Sequence, residues 1–280
     1  MDNQPVRLNK FLAERLGVSR READELISDG KIFVNQKTAK LGARVVSGDK
    51  ISYNGRIIPQ ENTYIYLAFN KPVGYVCSRR AQGSAPTIYE LLPQKYHHLK
   101  TVGRLDKDSS GLILLTNDGD FAFQMTHPKF RKTKVYEVEL DKPLEPLHQQ
   151  MIMDYGVMLD DGPSKFKIVK KGSMGSILQH SAGTSSHFYN GHGRVSGTEI
   201  SGRDRLSRCK NDDCEPRTLQ NNLMEPYVVI LTEGRNRQIR RTFAALGYEV
   251  TKLHRTQFGK YELGNLSIGK YDIIKLWVRF

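Results

Sequence analysis

The chain has 280 residues, of which 43 are Lys or Arg and 30 are Asp or Glu, so its formal net charge is +13. This length allows about two domains, and a basic excess spread along the chain favours a polyanionic partner, nucleic acid first, over a merely soluble basic protein. Three cysteines, the absence of an apolar run near the ~18 residues that span a bilayer, and the lack of a signal-peptide pattern predict a soluble cytoplasmic protein with no membrane partner.

The beginning of the chain predicts two short helices followed by a small basic β-hairpin unit. Apolar residues recur with helical spacing over residues 6–16. Ser19 and Glu22 match a capping box at the start of a second helix, which Gly30 ends. Asn54-Gly55 predicts a hairpin turn between short strands, since both residues tolerate positive φ.

The segment RLNKFLAERLGVSRREADELISDGKIFVN resembles the S4 RNA-binding domain. The resemblance implies that the second helix and the loop after it bind structured RNA. The positions expected to lie against phosphates are Arg20, Arg21, Lys31, Asn35 and Lys37. The alternative interpretation is that these side chains lie on a solvated helix face. The module indicates RNA as a ligand, but it does not indicate which reaction the protein catalyses. We place its end at a polar stretch, which divides the chain into domains 1–62 and 63–280.

The second domain is predicted to be α+β, with a mixed, mainly antiparallel sheet, because regular βαβ alternation is missing. Leu147 and Met151 are expected to pack one of its helices against the core, and a polar arm with Arg255 is expected to follow the strand at 248–253. The other predicted strands are 64–69, 132–140, 156–159, 227–231 and 271–276, and the predicted helices are 88–92, 120–126, 143–154 and 237–246.

The stretch 172–224 breaks this pattern. It is rich in Gly and Ser and poor in apolar residues, so we expect a flexible surface insertion that cannot offset its own ordering entropy. The entropic cost of bringing the two ends of this insertion together grows only logarithmically with its length, so the insertion should not prevent folding. Its candidate metal ligands lack the second tight pair of a zinc site; they are His180, His187, His192, Cys209 and Cys214. A basic RNA-contacting arm and no function at all are the other interpretations.

The stretch Gly103–Gly111, with the sequence GRLDKDSSG, sets two carboxylates and two cations between glycines, and the apolar run 112–115 follows at once. An acid fastened to a buried strand has a fixed position, which catalysis needs. Taken alone, the pattern favours the simpler interpretation of a polar loop that leads into a core strand.

Three segments in order change that interpretation: Gly103–Gly111, Lys134-Val135-Tyr136, and EGRNRQIRR at 233–241. Together they resemble the pseudouridine synthases, and within them the bacterial ribosomal-RNA branch that joins an S4 domain to the catalytic domain (the RsuA/RluB/RluF type). Asn-Lys-Pro-x-Gly at 70–74 and Gly-Val-x-Leu-Asp-Asp-Gly-Pro at 156–163 match this branch too.

The resemblance makes Asp106 the essential aspartate, which breaks the N-glycosidic bond of a uridine before the base is rejoined through carbon 5. The carboxylate would attack the anomeric carbon or take the 2′ proton, and the sequence leaves both open. Tyr136 would stack on the flipped uracil, with an ordinary core aromatic as the alternative. Arg240 would pair with Asp106, with a phosphate contact as the alternative. The expected substrate-binding residues are Arg104, Leu253, Arg235, Arg237 and Arg241.

The implied reaction is redox-neutral, so no cofactor and no metal are expected. The implied partner is ribosomal RNA, naked or in an assembly intermediate, and a monomer is expected. The Asp-Asp-Gly-Pro segment favours large-subunit over small-subunit ribosomal RNA as the substrate. The alternative function is a non-catalytic RNA-binding ribosome-assembly factor; a methyltransferase would need a methyl-donor site that the sequence does not show.

Overall fold

A computed structural model describes residues 4–61, 63–79, 83–171 and 226–274. Within these ranges no helix is long and apolar enough to cross a membrane. The predicted insertion at 172–224, with its His and Cys residues, lies outside the described residues.

The N-terminal unit contains helices α1 (Leu8–Arg15) and α2 (Arg20–Ser28) and six short strands: β1 (Val6–Arg7), β2 (Ile32–Val34), β3 (Lys37–Thr38), β4 (Arg44–Val45), β5 (Ile51–Tyr53) and β6 (Arg56–Ile57). Strands pair in the order β3-β2-β5-β6, and β1 pairs with β4. The capping box is confirmed, since the Glu22 amide donates to Ser19 Oγ at 3.1 Å and the Ser19 amide donates to the Glu22 carboxylate at 2.6 Å. Asn54 and Gly55 have positive φ in the β5–β6 turn, as expected.

A nine-stranded sheet forms the centre of the second unit. Its strands follow the order β13-β14-β10-β15-β9-β7-β17, with β8 on β9 and β16 on β15. Only β9 and β15 pair in parallel within the described ranges, so the predicted mixed, mainly antiparallel sheet is confirmed. The strands are β7 (Tyr66–Lys71), β8 (Lys100–Val102), β9 (Ser110–Thr116), β10 (Lys134–Leu140), β13 (Lys167–Lys170), β14 (Tyr227–Leu231), β15 (Val250–Phe258), β16 (Tyr261–Glu262) and β17 (Tyr271–Ile273). A separate hairpin joins β11 (Val157–Leu159) to β12 (Gly162–Ser164).

The helices of this unit are short: α3 (Gly119–Thr126), α4 (Pro146–Gln150) and α5 (Gln238–Ala245), with 3₁₀ turns at Ile88–Leu91, Gln94–Tyr96 and Pro128–Phe130. A π-helical turn, Met151–Tyr155, continues α4. The expected packing of Leu147 and Met151 is wrong, since they are 64% and 38% exposed and Ile152 is buried instead. From Met151 onward, the wider π turn rotates the side chains away from the positions that a regular helix would give them, whereas Leu147 precedes this turn.

Strand β15 is longer than predicted, and this changes the position of Arg255. The expected polar arm is wrong: β15 continues to Phe258 between β10 and β9. Arg255 is therefore in the middle of the sheet and only 2% exposed.

Contacts between the two units fix where the S4-like fold lies relative to α3. Lys10 of α1 forms an ion pair with Asp120 of α3, with 2.6 Å between nitrogen and oxygen. Lys100 Nζ donates to the Val18 carbonyl at 3.0 Å. The N-terminal unit thus packs beside the first turn of α3.

Candidate active site

A cleft of about 290 Å³ opens where the loop before β9 meets β10, β15 and the start of α5. We call this loop, Gly103–Ser109, the Asp106 loop. Asp106 is half-buried and lines the cleft, and Tyr136, Leu253 and Arg255 line it from the neighbouring strands. Three other predicted residues, Arg104, Arg235 and Arg237, also line it, so the structure brings six of the predicted residues together with Arg255, which was not predicted.

The parallel contact between β9 and β15 holds the two sides of the cleft at a short distance. Gly111 lies opposite Arg255 and has a φ of +105°. A Cβ on Gly111 would lie 2.5 Å from the Arg255 amide nitrogen, so only glycine fits there. Asp106, five residues before Gly111, and the Arg255 side chain thereby line the same cleft.

Lys71, at the end of β7, holds the Asp106 loop in place through hydrogen bonds to its backbone. Its side chain is fully buried, and Nζ donates to the carbonyls of Pro72 at 2.9 Å, Ser109 at 2.6 Å and Lys107 at 3.4 Å. The Gly74 amide donates to the same Lys107 carbonyl at 2.9 Å. Burial lowers the pKa of Lys71 to about 8. The part of the loop directly after the Asp106 carboxylate is thereby fixed.

Arg240 supports the loop as well, but not through the expected pairing. Its guanidinium donates to the carbonyls of Asp108 at 2.8 Å and Val250 at 2.6 Å. Among the described residues it forms no ion pair with Asp106 within 4 Å. Burial lowers the pKa of Arg240, and the nearby Arg237 adds to this effect, while the charges of Asp108 and Asp106 oppose it. Arg240 therefore ties α5 and β15 to the loop and acts on Asp106 only through space.

Tyr136 and Arg255 face each other across the β10–β15 pair. Tyr136 is 8% exposed, and its hydroxyl lies 3.5 Å from Arg255 Nη1. Arg255 Nε donates to the Leu112 carbonyl at 2.7 Å, while Nη2 is buried without a hydrogen-bond partner in the described structure. A buried guanidinium nitrogen of this kind has spare donor capacity beside the cleft.

Cations surround the rest of the opening. Arg104 is exposed and lines the cleft without a hydrogen bond to any other described residue. Arg237 forms an ion pair with Asp108 at 3.2 Å. Burial lowers the pKa of Lys134 to about 8, with the charge of Arg255 acting in the same direction. The cleft thus carries an excess of positive charge over the single carboxylate of Asp106.

Two of the predicted substrate-binding arginines are engaged by the protein itself. Arg235 donates to Asp161 at 3.0 Å and to the carbonyls of Gly162 and Pro163 at 2.9 and 2.8 Å. Arg241 donates to the same Asp161 carboxylate at 2.7 Å. These bonds fasten the β11–β12 hairpin to α5, and they leave little of either guanidinium for RNA.

The predicted RNA-contacting residues of the N-terminal unit are all exposed. Lys31 forms an ion pair with Asp29 at 2.8 Å. Asn35 has a φ of 49° and binds the Asp49 carboxylate and the Lys50 amide, so it shapes a turn. The exposed cations at the start of α2 and on β3 are Arg20, Arg21 and Lys37.

Comparison with known proteins decides the family. The model of the RNA pseudouridylate synthase family matches residues 65–245, and the S4 domain model matches residues 6–51. The chain belongs to the RNA pseudouridylate synthase family. It is therefore an RNA pseudouridine synthase that carries an N-terminal S4 domain, as the motifs implied.

Relatives and a solved structure agree over most of the chain. It is 33% identical to ribosomal small subunit pseudouridine synthase A of Pasteurella multocida over 95% of this chain and 94% of that protein. It is 31% identical to ribosomal large subunit pseudouridine synthase B of Pseudomonas aeruginosa, over 95% of this chain but 58% of that longer protein. A crystal structure of pseudouridylate synthase is 26% identical, with a TM-score of 0.56 and 96% coverage of both chains.

Sequence reasoning missed two residues of this synthase's site, Lys71 and Arg255. Lys71 stands in the Asn-Lys-Pro-x-Gly segment at the end of a predicted strand, and that position was the available signal. Arg255 follows Leu253 at a spacing of two, so both side chains lie on one face if the strand continues. A longer strand prediction would have put Arg255 beside Leu253.

Proposed function

We propose that this protein isomerises one uridine of large-subunit ribosomal RNA to pseudouridine, with Asp106 as its catalytic group. The observation that carries the proposal is the geometry of Asp106: its loop is held by Lys71 and Arg240, and its carboxylate lines a cleft with Tyr136 and Arg255. Such fixation of a carboxylate favours reaction at a bound sugar.

The reaction conserves all atoms. The bond between C1′ and N1 breaks, the uracil turns within the cleft, and a bond between C1′ and C5 forms. N1 gains a proton and C5 loses one. Asp106 either forms a transient ester at C1′ or removes the 2′ proton, and both routes need the ionised carboxylate within reach of the ribose.

The positive charge of the cleft suits the detached base. A uracil that leaves with the electron pair of the glycosidic bond carries negative charge, and fixed cations stabilise such charge in a site that excludes water. Arg255 is the buried cation nearest to the hydroxyl of Tyr136, and Lys134 lies on the same strand as Tyr136. Tyr136 presents a flat ring on which the base can stack.

The uridine must leave its helical stack before it enters the cleft. Arg104, which is exposed at the opening, would occupy the gap that the base leaves. The S4 domain would hold the surrounding structured RNA through exposed cations such as Arg20 and Lys37.

The test compares wild type with Asp106→Asn and Asp108→Asn on 16S and 23S rRNA, both naked and in assembly intermediates. Pseudouridine is mapped by carbodiimide primer extension. Asp108 is a matched control, because it is an exposed carboxylate two residues away that forms an ion pair with Arg237. We expect one modified position in 23S rRNA, a loss of about 10⁴-fold or more in Asp106→Asn, and substantial activity in Asp108→Asn.

Each part of the proposal fails separately. Absence of pseudouridine with every RNA would refute the proposed activity on ribosomal RNA. Modification of 16S rRNA alone would move the substrate to the small subunit. Full activity of Asp106→Asn would show that another group performs the chemistry.

A further inference from the structure

An exposed aromatic cluster stands beside the cleft, and nothing in the catalytic arrangement uses it. It consists of Phe123 on α3, His127 at the C-cap of this helix, and Lys129 and Phe130 in the following 3₁₀ turn. Phe123 is 47% exposed and Phe130 is 36% exposed. Large aromatic side chains left in water together usually mark a binding surface.

The rings are arranged around Lys129. The ring centroids of Phe123 and His127 lie 4.7 Å apart, and those of Phe123 and Phe130 lie 5.8 Å apart at 89°. Lys129 Nζ lies 5.2 Å from the Phe123 centroid and 4.7 Å from the Phe130 centroid. The Lys129 amide donates to His127 Nδ1, which fixes the imidazole against the turn. Aromatic faces next to a cation are the combination that binds unpaired bases and their phosphates.

The position of the cluster connects it to both RNA-binding parts. Asp120 and Phe123 are three residues apart on α3, and His127, four residues after Phe123, is the C-cap of this helix. Asp120 is bonded to Lys10 of the S4 domain, and Thr126 at the other end of α3 lines the catalytic cleft. The face of α3 that carries Phe123 therefore lies between a contact with the S4 domain and the lining of the cleft.

The chain also returns from the cluster to the cleft. After Phe130 come Arg131, which is exposed, and Lys132, and Lys134 then lines the cleft. Cations thus follow the cluster along the chain on its way to the cleft.

We propose that Phe123, His127 and Phe130 form a stacking platform for an unpaired base of the RNA substrate, next to the uridine that enters the cleft. The platform rests on the proposed function, because it supposes that the substrate is RNA with an extruded uridine. Lys129 holds the phosphate of the stacked nucleotide. Once the uridine is extruded, the neighbouring bases no longer stack on it. Stacking of one of these bases on the aromatic rings of the platform replaces part of the lost interaction.

The test uses Asp106→Asn protein, in which binding is measured without turnover, and full-length 23S and 16S rRNA transcripts as probes. Filter binding is recorded from low to high salt. Adding Phe123→Ala and Phe130→Ala should weaken binding roughly 5- to 100-fold, since each stacked base contributes on the order of tenfold or more. The salt slope should not change. Lys129→Ala should reduce the slope by about 0.7 to 1.

Tyr155→Ala is the matched control, because Tyr155 is an 80% exposed aromatic on another element, outside the cleft lining. The double variant Phe123→Leu, Phe130→Leu keeps apolar surface but has no aromatic rings, so its RNA affinity should be as low as that of the alanine variant. Tryptophan at both positions should restore binding. Thermal unfolding of each variant verifies the fold.

Binding by the alanine variant equal to that of the Tyr155→Ala protein would overturn the platform, as would the absence of binding to either transcript by the starting protein. A leucine variant that binds as well as the starting protein would show apolar contact without stacking and would overturn it too. Platform-dependent binding without pseudouridine formation by wild type would refute the proposed function alone.

Discussion

Gly111 lies directly against the backbone of Arg255, where the two halves of the sheet meet. Its φ of +105° and the 2.5 Å between a built Cβ and the Arg255 amide nitrogen leave no room for a side chain. The contact links the end of the Asp106 loop to the strand that carries Arg255. Both backbone conformation and close approach therefore require glycine here.

Gly111→Ala should destabilise the protein by about 3 kcal/mol or more and lower its activity, because the β9–β15 contact must open to admit a methyl group. Gly48→Ala is the control, since Gly48 has a φ of +99° and nothing within 4 Å of its built Cβ. It should show only the conformational cost, on the order of 1 kcal/mol. Urea unfolding measures both, and equal losses would show that the close approach is unimportant.

Much of the fold followed from local pattern, and the exceptions have physical causes. The capping box at Ser19 and the Asn54-Gly55 turn are local devices, and both are present. The burial of Arg255 is a tertiary effect, since the polar run around it gives no sign that β15 lies in mid-sheet between two partners. The exposure of Met151 and the burial of Ile152 occur within a π turn, which the spacing of apolar residues does not predict.

The candidate active site was likewise predicted from the sequence only in part. Asp106, Tyr136 and Leu253 lie together at one cleft, as the resemblance implied. The direct pairing of Arg240 with Asp106 does not occur, because the Arg240 guanidinium bonds to carbonyls of the Asp106 loop and β15. The order of motifs predicts which elements meet, but the partner of a long flexible side chain depends on the nearest acceptor in the folded chain.

Lys71→Met should destabilise the protein by about 3 kcal/mol, because three carbonyls lose a buried donor. Activity should fall further than stability explains, since Lys107 and Ser109 are loop neighbours of Asp106. Lys100→Met is the control: Lys100 is half-buried and donates to one carbonyl, that of Val18. Its loss should be nearer 1 kcal/mol, with activity kept once folded. Similar kcat values for the two variants would contradict a positioning role for Lys71.

Arg255→Met should separate activity from stability. We expect kcat to fall by about 10² to 10³-fold, as when a fixed electrostatic contact to a developing charge is removed. Stability should fall by only about 1 kcal/mol, because one carbonyl, that of Leu112, loses its donor while an apolar side chain of similar length avoids burying a charge. Arg255→Lys should also lose activity, since one ammonium cannot reach both the Leu112 carbonyl and the Tyr136 hydroxyl with a planar fork. Single-turnover kinetics and urea unfolding decide this, and a Met variant with wild-type kcat would remove Arg255 from the reaction.

The lowered pKa of Lys134 predicts how the affinity for RNA depends on pH. Burial first and the charge of Arg255 second lower its pKa to about 8 in the free protein, so Lys134 is a cation below pH 8 and becomes neutral above it. Bound phosphate favours the cation and raises this pKa in the complex, so affinity should be constant below pH 8 and decline from there to about pH 10. Lys134→Arg keeps its charge throughout. The ratio of the two dissociation constants should therefore rise between pH 8 and 10 in favour of the Arg variant, and a ratio independent of pH would show that Lys134 does not bind RNA as a cation.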